Sequence, residues 1–319
     1  ARATLIQEAQ QPSMPDDPDE SFIVDTVLRH RPEGAPRGST SAPMSPGDDA
    51  AVVSETECVT VDAMVEGVHW DDRLSPADVG WKLVACNASD INAMGGIPTW
   101  GVLTIAIPRP IDTDWVESFA RGLGAAMGTW NITLVGGDTT RSPGPRMVSL
   151  TLAGTLTVPI GRDGAKPGDD LWVSGPLGGP AAVFGNRALD PTPLARPHPP
   201  IGLGSRLRGV ATSMMDLSDG LARDLPRLCA ASEVGAVVDP SSLPIHPAAE
   251  SDIALAVGFG EEYELLFTAP PAARDSVLGA ALDAGCVPSR VGIITSNRDV
   301  RLSDMPWPTP LFSHFGGDQ

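Results

Sequence analysis

The sequence predicts a two-domain α/β protein, and three observations carry that expectation. The chain has 319 residues, more than one core comfortably holds, so two domains of about 150 residues each are expected. Apolar residues make up 42% of it, as in an ordinary globule. Short apolar runs ending in Gly, Pro or Asp recur along the chain, separated by stretches with helical spacing.

Residues 1–18 are polar and proline-bearing and are expected to form a flexible arm. Phe22, Ile23, Val27 and Leu28 then give a short helical stripe, and 31–46, rich in Pro, Gly and Ser, reads as a loop. Strands are expected at 50–53 and 57–62. Ser75 reads as an N-cap with Pro76 in the first helical position, opening a helix on which Val79, Leu83, Val84 and Ile91 repeat at helical spacing. Asn87 and Asp90 share a face of that helix, either open to solvent or buried with partners. Strand 100–108, helix 112–128, strand 131–140 and a strand in RMVSLTLAGTL complete the first domain, 19–158. The second domain, 159–319, follows PIGRDGAKPGDD, a junction by its Gly, Pro and charge density. It opens with LWVSG and a glycine-rich turn that lacks the Walker A spacing. Residues 190–200 read as an irregular connector. MMDLSDGLARDL sets Asp216 and Asp219 about a helix start, Pro226 suggests a bend, GFGEEYELLFT is a glycine turn entering a strand, and VPSRVGIIT is a late strand.

A formal net charge of −18 argues against nucleic acid or an anionic membrane as a partner. Cys58, Cys86, Cys229 and Cys286 show no CxxC pair or zinc-ligand spacing, and read as reduced, mostly buried thiols of a cytoplasmic protein. No stretch approaches the length needed to span a bilayer, and the N-terminus lacks the order of a signal peptide.

The chemistry is expected at acidic turns. In GDDAAVV, Gly47 lets Asp48 and Asp49 stand at a strand mouth, and similar turns recur at Asp62, Asp90, Asp138, Asp216 and Asp219. Adjacent carboxylates repel unless cations or hydrogen bonds offset them, and hard oxygen ligands favour Mg²⁺ or Ca²⁺. With only two lysines, no nucleotide-binding lysine loop and no Ser/His/Asp nucleophile motif, the pattern fits a site that holds phosphates through divalent ions.

In chain order, GDDAAVV, VDAMVEGVHW, NASDINAMGG, LVGGDTT, GRDGAKPGD, MMDLSDGLARDL and GEEYELLFT resemble the motifs of the thiamine-monophosphate kinases. The resemblance implies the two-domain fold of the aminoimidazole-ribonucleotide synthetase superfamily, a homodimer whose N-terminal sheets meet, with C-terminal α/β domains flanking them. It implies transfer of the ATP γ-phosphate to thiamine monophosphate, giving thiamine diphosphate with several Mg²⁺ ions. Carried over by position, the metal ligands would be Asp49, Thr60, Val61 through its carbonyl, Asp62, Asp90, Asp138, Asp216 and Asp219, with Asp90, Asp138 and Asp219 most directly catalytic. Gly137, Asp138, Arg162 and Ser218 would contact ATP, and His69, Glu261 and Phe312 the thiamine phosphate.

Two stretches depart from the family's pattern. Val61 and Ala63 flank Asp62 where threonines are usual, removing side-chain oxygens, and Phe259-Gly260-Glu261-Glu262-Tyr263 stands for Gly-Gly-Glu-Asp-Tyr. Phe259 is expected to crowd its turn, and Glu262 to reach one methylene further. The alternatives are a superfamily member acting on another small phosphorylated substrate, or a non-catalytic nucleotide- or metal-binding regulator. A selenophosphate synthetase or hydrogenase-maturation protein fits less well, since no Cys stands where their reactive groups are usual.

Overall fold

The computed structural model describes residues 20–30, 47–185, 187, 190–303 and 305–311. Helix α1 (Glu20–Arg29) belongs to a unit separate from the body, residues 38–312.

The body begins with the hairpin β1 (Ala51–Ser54) and β2 (Glu57–Val65), continues through α2 (Pro76–Ala93), β3 (Ile97–Ile107), α3 (Thr113–Thr129) and β4 (Thr133–Arg141), and returns on β5 (Met147–Thr155). These strands form one sheet in the order β1-β2-β5-β3-β4. Only β3 and β4 run parallel, and α3 is the crossover that a parallel pair requires. Ser75 caps α2 in a capping box with Asp78, and Pro76 occupies the first turn, where a missing N–H costs nothing. The two helices lie in contact: a Cβ on Gly122 would sit 1.8 Å from the Ala77 carbonyl oxygen, so only glycine permits the approach. Leu83, Val84, Ile91, Phe119, Leu150 and Leu152 fill the space between helices and sheet.

The second half comprises β6 (Asp170–Val173), α4 (Gly179–Phe184), α5 (Thr192–Ala195), α6 (Leu203–Arg206), β7 (Ser213–Asp216), α7 (Leu221–Ala231), β8 (Gly235–Val238), α8 (Ile253–Gly258), β9 (Leu265–Ala269), α9 (Arg274–Ala284), β10 (Ser289–Thr295) and β11 (Val300–Leu302). Its sheet has the order β11-β8-β10-β6-β9-β7. Two expectations are corrected here. The connector 190–200 contains α5, whose Leu194 and Ala195 are buried. Asp216 ends strand β7, whose burial on both faces hides any alternation, and the helix starts only at Leu221.

Helix α2 joins the halves. Besides its apolar residues it buries Lys82, Asn87, Ser89 and Asn92, so the reading of its polar face as solvent-exposed is excluded. Asn92 Oδ1 accepts from the Gly202 and Gly204 amides of the second half at 3.0 and 3.1 Å. A helix buried on all sides must satisfy its polar groups internally, and these groups find partners on both sheets.

Candidate active site and metal centre

Four elements deliver the acidic centre. Gly47, at φ 128°, turns the chain so that Asp48 and Asp49 precede β1. On β2 the alternation of side chains sends Thr60 and Asp62 inward and Val61, 62% exposed, outward with Ala63. Asp90 comes from α2 and Asp216 from the end of β7. Asp49, Asp90 and Asp216 each bring a carboxylate oxygen to within 4.8 Å of the others.

These acids are fixed by neutral donors. Thr60 Oγ1 donates to Asp90 Oδ2 at 2.7 Å, and Ser89 Oγ to Asp216 Oδ2 at 2.8 Å. The amide of Asp62 donates to Asn87 Oδ1 at 3.1 Å, tying β2 to α2. One cation enters the group: Arg162 Nη2 lies 2.6 Å from Asp49 Oδ1, while its amide donates to Asp48 at 3.0 Å. Burial, then the charges of Asp62, Asp216 and Asp49, push the Asp90 carboxyl well above the usual carboxylate range. Asp216 is raised for the same first reason and then by Asp49. Asp62 is also raised by burial, against a hydrogen bond from the Cys86 thiol. Three converging acids with one arginine between them lack positive charge. Hard carboxylate oxygens at this spacing fit a divalent cation such as Mg²⁺, which would relieve that repulsion.

Beside the centre lies the turn from Phe259 to Glu264. Lys82, buried on α2, places Nζ 2.6 Å from Glu261 Oε2, and the Tyr263 hydroxyl donates to the same oxygen at 3.0 Å. Glu261 and Tyr263 hold φ of 73° and 54°, conformations that side chains resist and that surrounding contacts must enforce. The enforcing contacts run to the 217–220 turn: the Glu261 amide donates to the Ser218 carbonyl and the Tyr263 amide to that of Leu217, both at 2.9 Å. A Cβ on Gly260 would lie 2.0 Å from the Ser218 oxygen, so the packed turns admit no side chain there.

The departures at this turn resolve physically. Phe259 does not crowd it: its φ is −99°, and its ring packs against Phe184 with centroids 5.2 Å apart. Arg73 covers the Phe184 ring at 4.1 Å. The longer Glu262 side chain turns to the Gly178 amide, accepting at 3.0 Å. The outward direction of Val61 and Ala63 means that threonines there would aim their hydroxyls away from the centre.

Other expected residues are not members of this group of three carboxylates. Asp219 pairs with Arg227 at 2.6 Å and Arg223 at 3.8 Å, and its amide donates to Asp224. Ser218 sits in the turn between β7 and α7. His69 Nδ1 accepts from the Val65 amide at 3.0 Å, closing the loop after β2. Gly137 and Asp138 lie on β4, the exposed outer strand at the sheet edge opposite β1. Phe312 falls outside the described residues. Sequence reasoning missed Lys82, Cys86, Asn87 as a partner of Asp62, Ser89 and Tyr263. One signal was present: Lys82, Cys86 and Asp90 recur every fourth residue of α2, and so share a face.

Residues 47–156 match the family described as AIR synthase related protein, N-terminal domain, and residues 199–304 its C-terminal domain. The thiamine-monophosphate kinase of Escherichia coli (strain K12) is 38% identical over 257 residues, 72% of this chain and 78% of that protein. The crystal structure of thiamine-monophosphate kinase from Stenotrophomonas maltophilia K279a superimposes with a TM-score of 0.74 at 35% identity, covering 82% of this chain and 91% of that one. AaThiL complexed with AMPPCP and TMP gives a TM-score of 0.76 at 26% identity, covering 91% and 96%.

Proposed function

The chain belongs to the thiamine-monophosphate kinase family of AIR synthase related proteins, and from that premise we propose how its residues carry out ATP-dependent phosphorylation of thiamine monophosphate to thiamine diphosphate. The observation that carries this reading is the convergence of Asp49, Asp90 and Asp216, from three separate motifs and both halves, on one point.

Asp49, Asp90 and Asp216 would hold one Mg²⁺, with Asp62 and Thr60 beside them; the Val61 carbonyl, Asp138 and Asp219, outside that group, are assigned to further ions. The metal supplies charge neutralisation for the phosphates of both substrates. Arg162 and Ser218, with Gly137 and Asp138, are assigned to ATP, and His69, Glu261 and Phe312 to the thiamine phosphate. Transfer is direct and in line: a phosphate oxygen of thiamine monophosphate attacks the γ-phosphorus, the bond to the ADP oxygen breaks, and ADP leaves. The attacking phosphate is largely ionised near neutral pH, so no protein base has to remove a proton. What the chain contributes is alignment and a fixed electrostatic setting. Thr60 and Ser89 serve this by pinning Asp90 and Asp216.

The two sheets favour a domain boundary near 158, while α1 belongs to a unit of its own. We assign a homodimer through the N-terminal sheet, where Val61 on β2 and Leu134 and Val135 on the outer strand β4 are 62%, 43% and 57% exposed. No helix among the described residues is long and apolar enough to cross a membrane, and we place the protein in the cytoplasm.

The test is chromatography of products from ATP, Mg²⁺ and either thiamine monophosphate or thiamine. Thiamine diphosphate formed from the monophosphate, with no product from thiamine, is expected. Folded, metal-supplied protein that forms none would overturn the reading in favour of another acceptor or a binding-only role.

A further inference from the structure

Lys82 is a buried cation to which the reaction scheme gives no task. It is 2% exposed in the middle of the molecule, where a lysine is costly unless paired. Its partner is Glu261, whose Oε2 takes both the Lys82 ammonium at 2.6 Å and the Tyr263 hydroxyl at 3.0 Å. Among the described residues nothing hydrogen-bonds to the other oxygen, Oε1, and the Glu261 side chain remains 26% exposed. One oxygen is therefore anchored, and among the described residues the other carries no hydrogen bond.

Without Lys82 only the Tyr263 hydroxyl would hold Glu261 Oε2, against the like charge of Asp62 nearby. The backbone at φ 73° fixes the start of the side chain but not its end. On α2, Asp90 stands two turns beyond Lys82, in the carboxylate group. The same helix face thus carries both an acid of the metal centre and the cation that holds Glu261.

We propose that Lys82 is a positioning residue of the thiamine monophosphate subsite, anchoring Glu261 Oε2 so that Oε1 is presented to the cationic ring system of the substrate. This rests on the assignment of Glu261 to that substrate. Lys82 does not touch the substrate; it acts through the carboxylate.

The test is a double-mutant cycle of Lys82→Met and Glu261→Gln, with Lys82→Arg as the conservative variant. It is read by calorimetric binding of thiamine monophosphate in the presence of Mg²⁺ and a methylene analogue of ATP, and by KM for each substrate. Lys82→Met is expected to weaken thiamine monophosphate binding about tenfold while KM for ATP moves less than about twofold. In the Glu261→Gln background the same change should cost nothing further, because neighbours acting as one unit are not additive. Lys82→Arg should recover part of the affinity. Equal weakening toward both substrates, or full additivity with Glu261→Gln, would overturn the proposal. If Lys82→Met fails to fold, Lys82→Gln with and without Glu261→Gln gives the same comparison. Wild-type protein that neither binds nor turns over thiamine monophosphate contradicts the functional reading; wild-type activity with an insensitive Lys82→Met contradicts only this proposal.

Discussion

Ser89 Oγ donates to Asp216 Oδ2 at 2.8 Å across 127 residues of sequence. The next residue, Asp90, meets Asp216 in the carboxylate group, so two neighbours on α2 position one acid and supply another. The helix that joins the two sheets is thereby also the helix that assembles the site. Any change that shifts α2 against β7 should be read out in catalysis before it is read out in unfolding.

Ser89→Ala removes the donor and leaves a buried carboxylate oxygen without it. The loss of one hydrogen bond to a charged group is expected to cost about 1–3 kcal/mol of stability. Turnover should fall about tenfold as Asp216 loses its alignment. Urea unfolding and steady-state rates on the same preparation check both figures.

The repulsion within the carboxylate group makes a second prediction. In the presence of a chelator, Asp90→Asn should melt at a higher temperature than the wild type, by about 2–4 °C for each kcal/mol of relieved repulsion. Added Mg²⁺ should raise the wild-type melting temperature and leave that of Asp90→Asn nearly unchanged. Melting curves with and without Mg²⁺ decide it; a wild type indifferent to Mg²⁺ would show that the acids do not form a cation site.

Glu264 offers a pH signature away from the metal centre. Burial pushes its carboxyl up to about 7, against a hydrogen bond from Ser174. The folded state therefore keeps a proton that the unfolded chain releases above about 4.3, the ordinary value for glutamate. Between the two values the folded state binds more protons, so this contribution to stability is complete at low pH and lost as pH rises toward about 7. Glu264→Gln should flatten that part of the profile by about 1–3 kcal/mol, measured by urea unfolding at pH 5 and pH 7.5. An unchanged slope would place Glu264 in a less buried setting.

Phe259→Gly restores the family's residue and tests whether the aromatic side chain disturbs the turn. The ring lies on Phe184, outside the packed contact of Gly260 with Ser218. The variant is expected to lose about 1–2 kcal/mol of stability, from the ring contact and the added chain freedom. Rates should stay within about twofold of the wild type. A large gain in activity would mean that Phe259 does constrain the site.

Much of the site was legible because carboxylates at the ends of apolar segments have few structural reasons to recur there. Asp49 and Asp216 do stand at such ends, although Asp216 closes a strand and does not open a helix; Asp62 lies inside β2 and Asp90 inside α2, so the turns expected at those two are corrected. Strand β7 is only four residues long and buried on both faces, so no alternation marks it. β8 and β11, with four and three residues, were missed for the same lack of period. Lys82 and Ser89 stayed hidden because periodicity tells which residues share a face but not what that face meets. Their partners, Glu261 and Asp216, lie far away in sequence and are brought close only by the packing of α2 between two sheets. Val61 points away from the centre and the Phe259 ring lies on Phe184, directions that a comparison of letters does not carry.

The most direct test of the account is thiamine diphosphate formation in a single turnover by wild-type protein and Asp90→Asn, each saturated with ATP, Mg²⁺ and thiamine monophosphate. The account predicts product from the wild type and a rate at least about a hundredfold lower from Asp90→Asn, with the variant folded. Equal rates would contradict the assignment of the Asp49, Asp90 and Asp216 group as the centre of phosphoryl transfer.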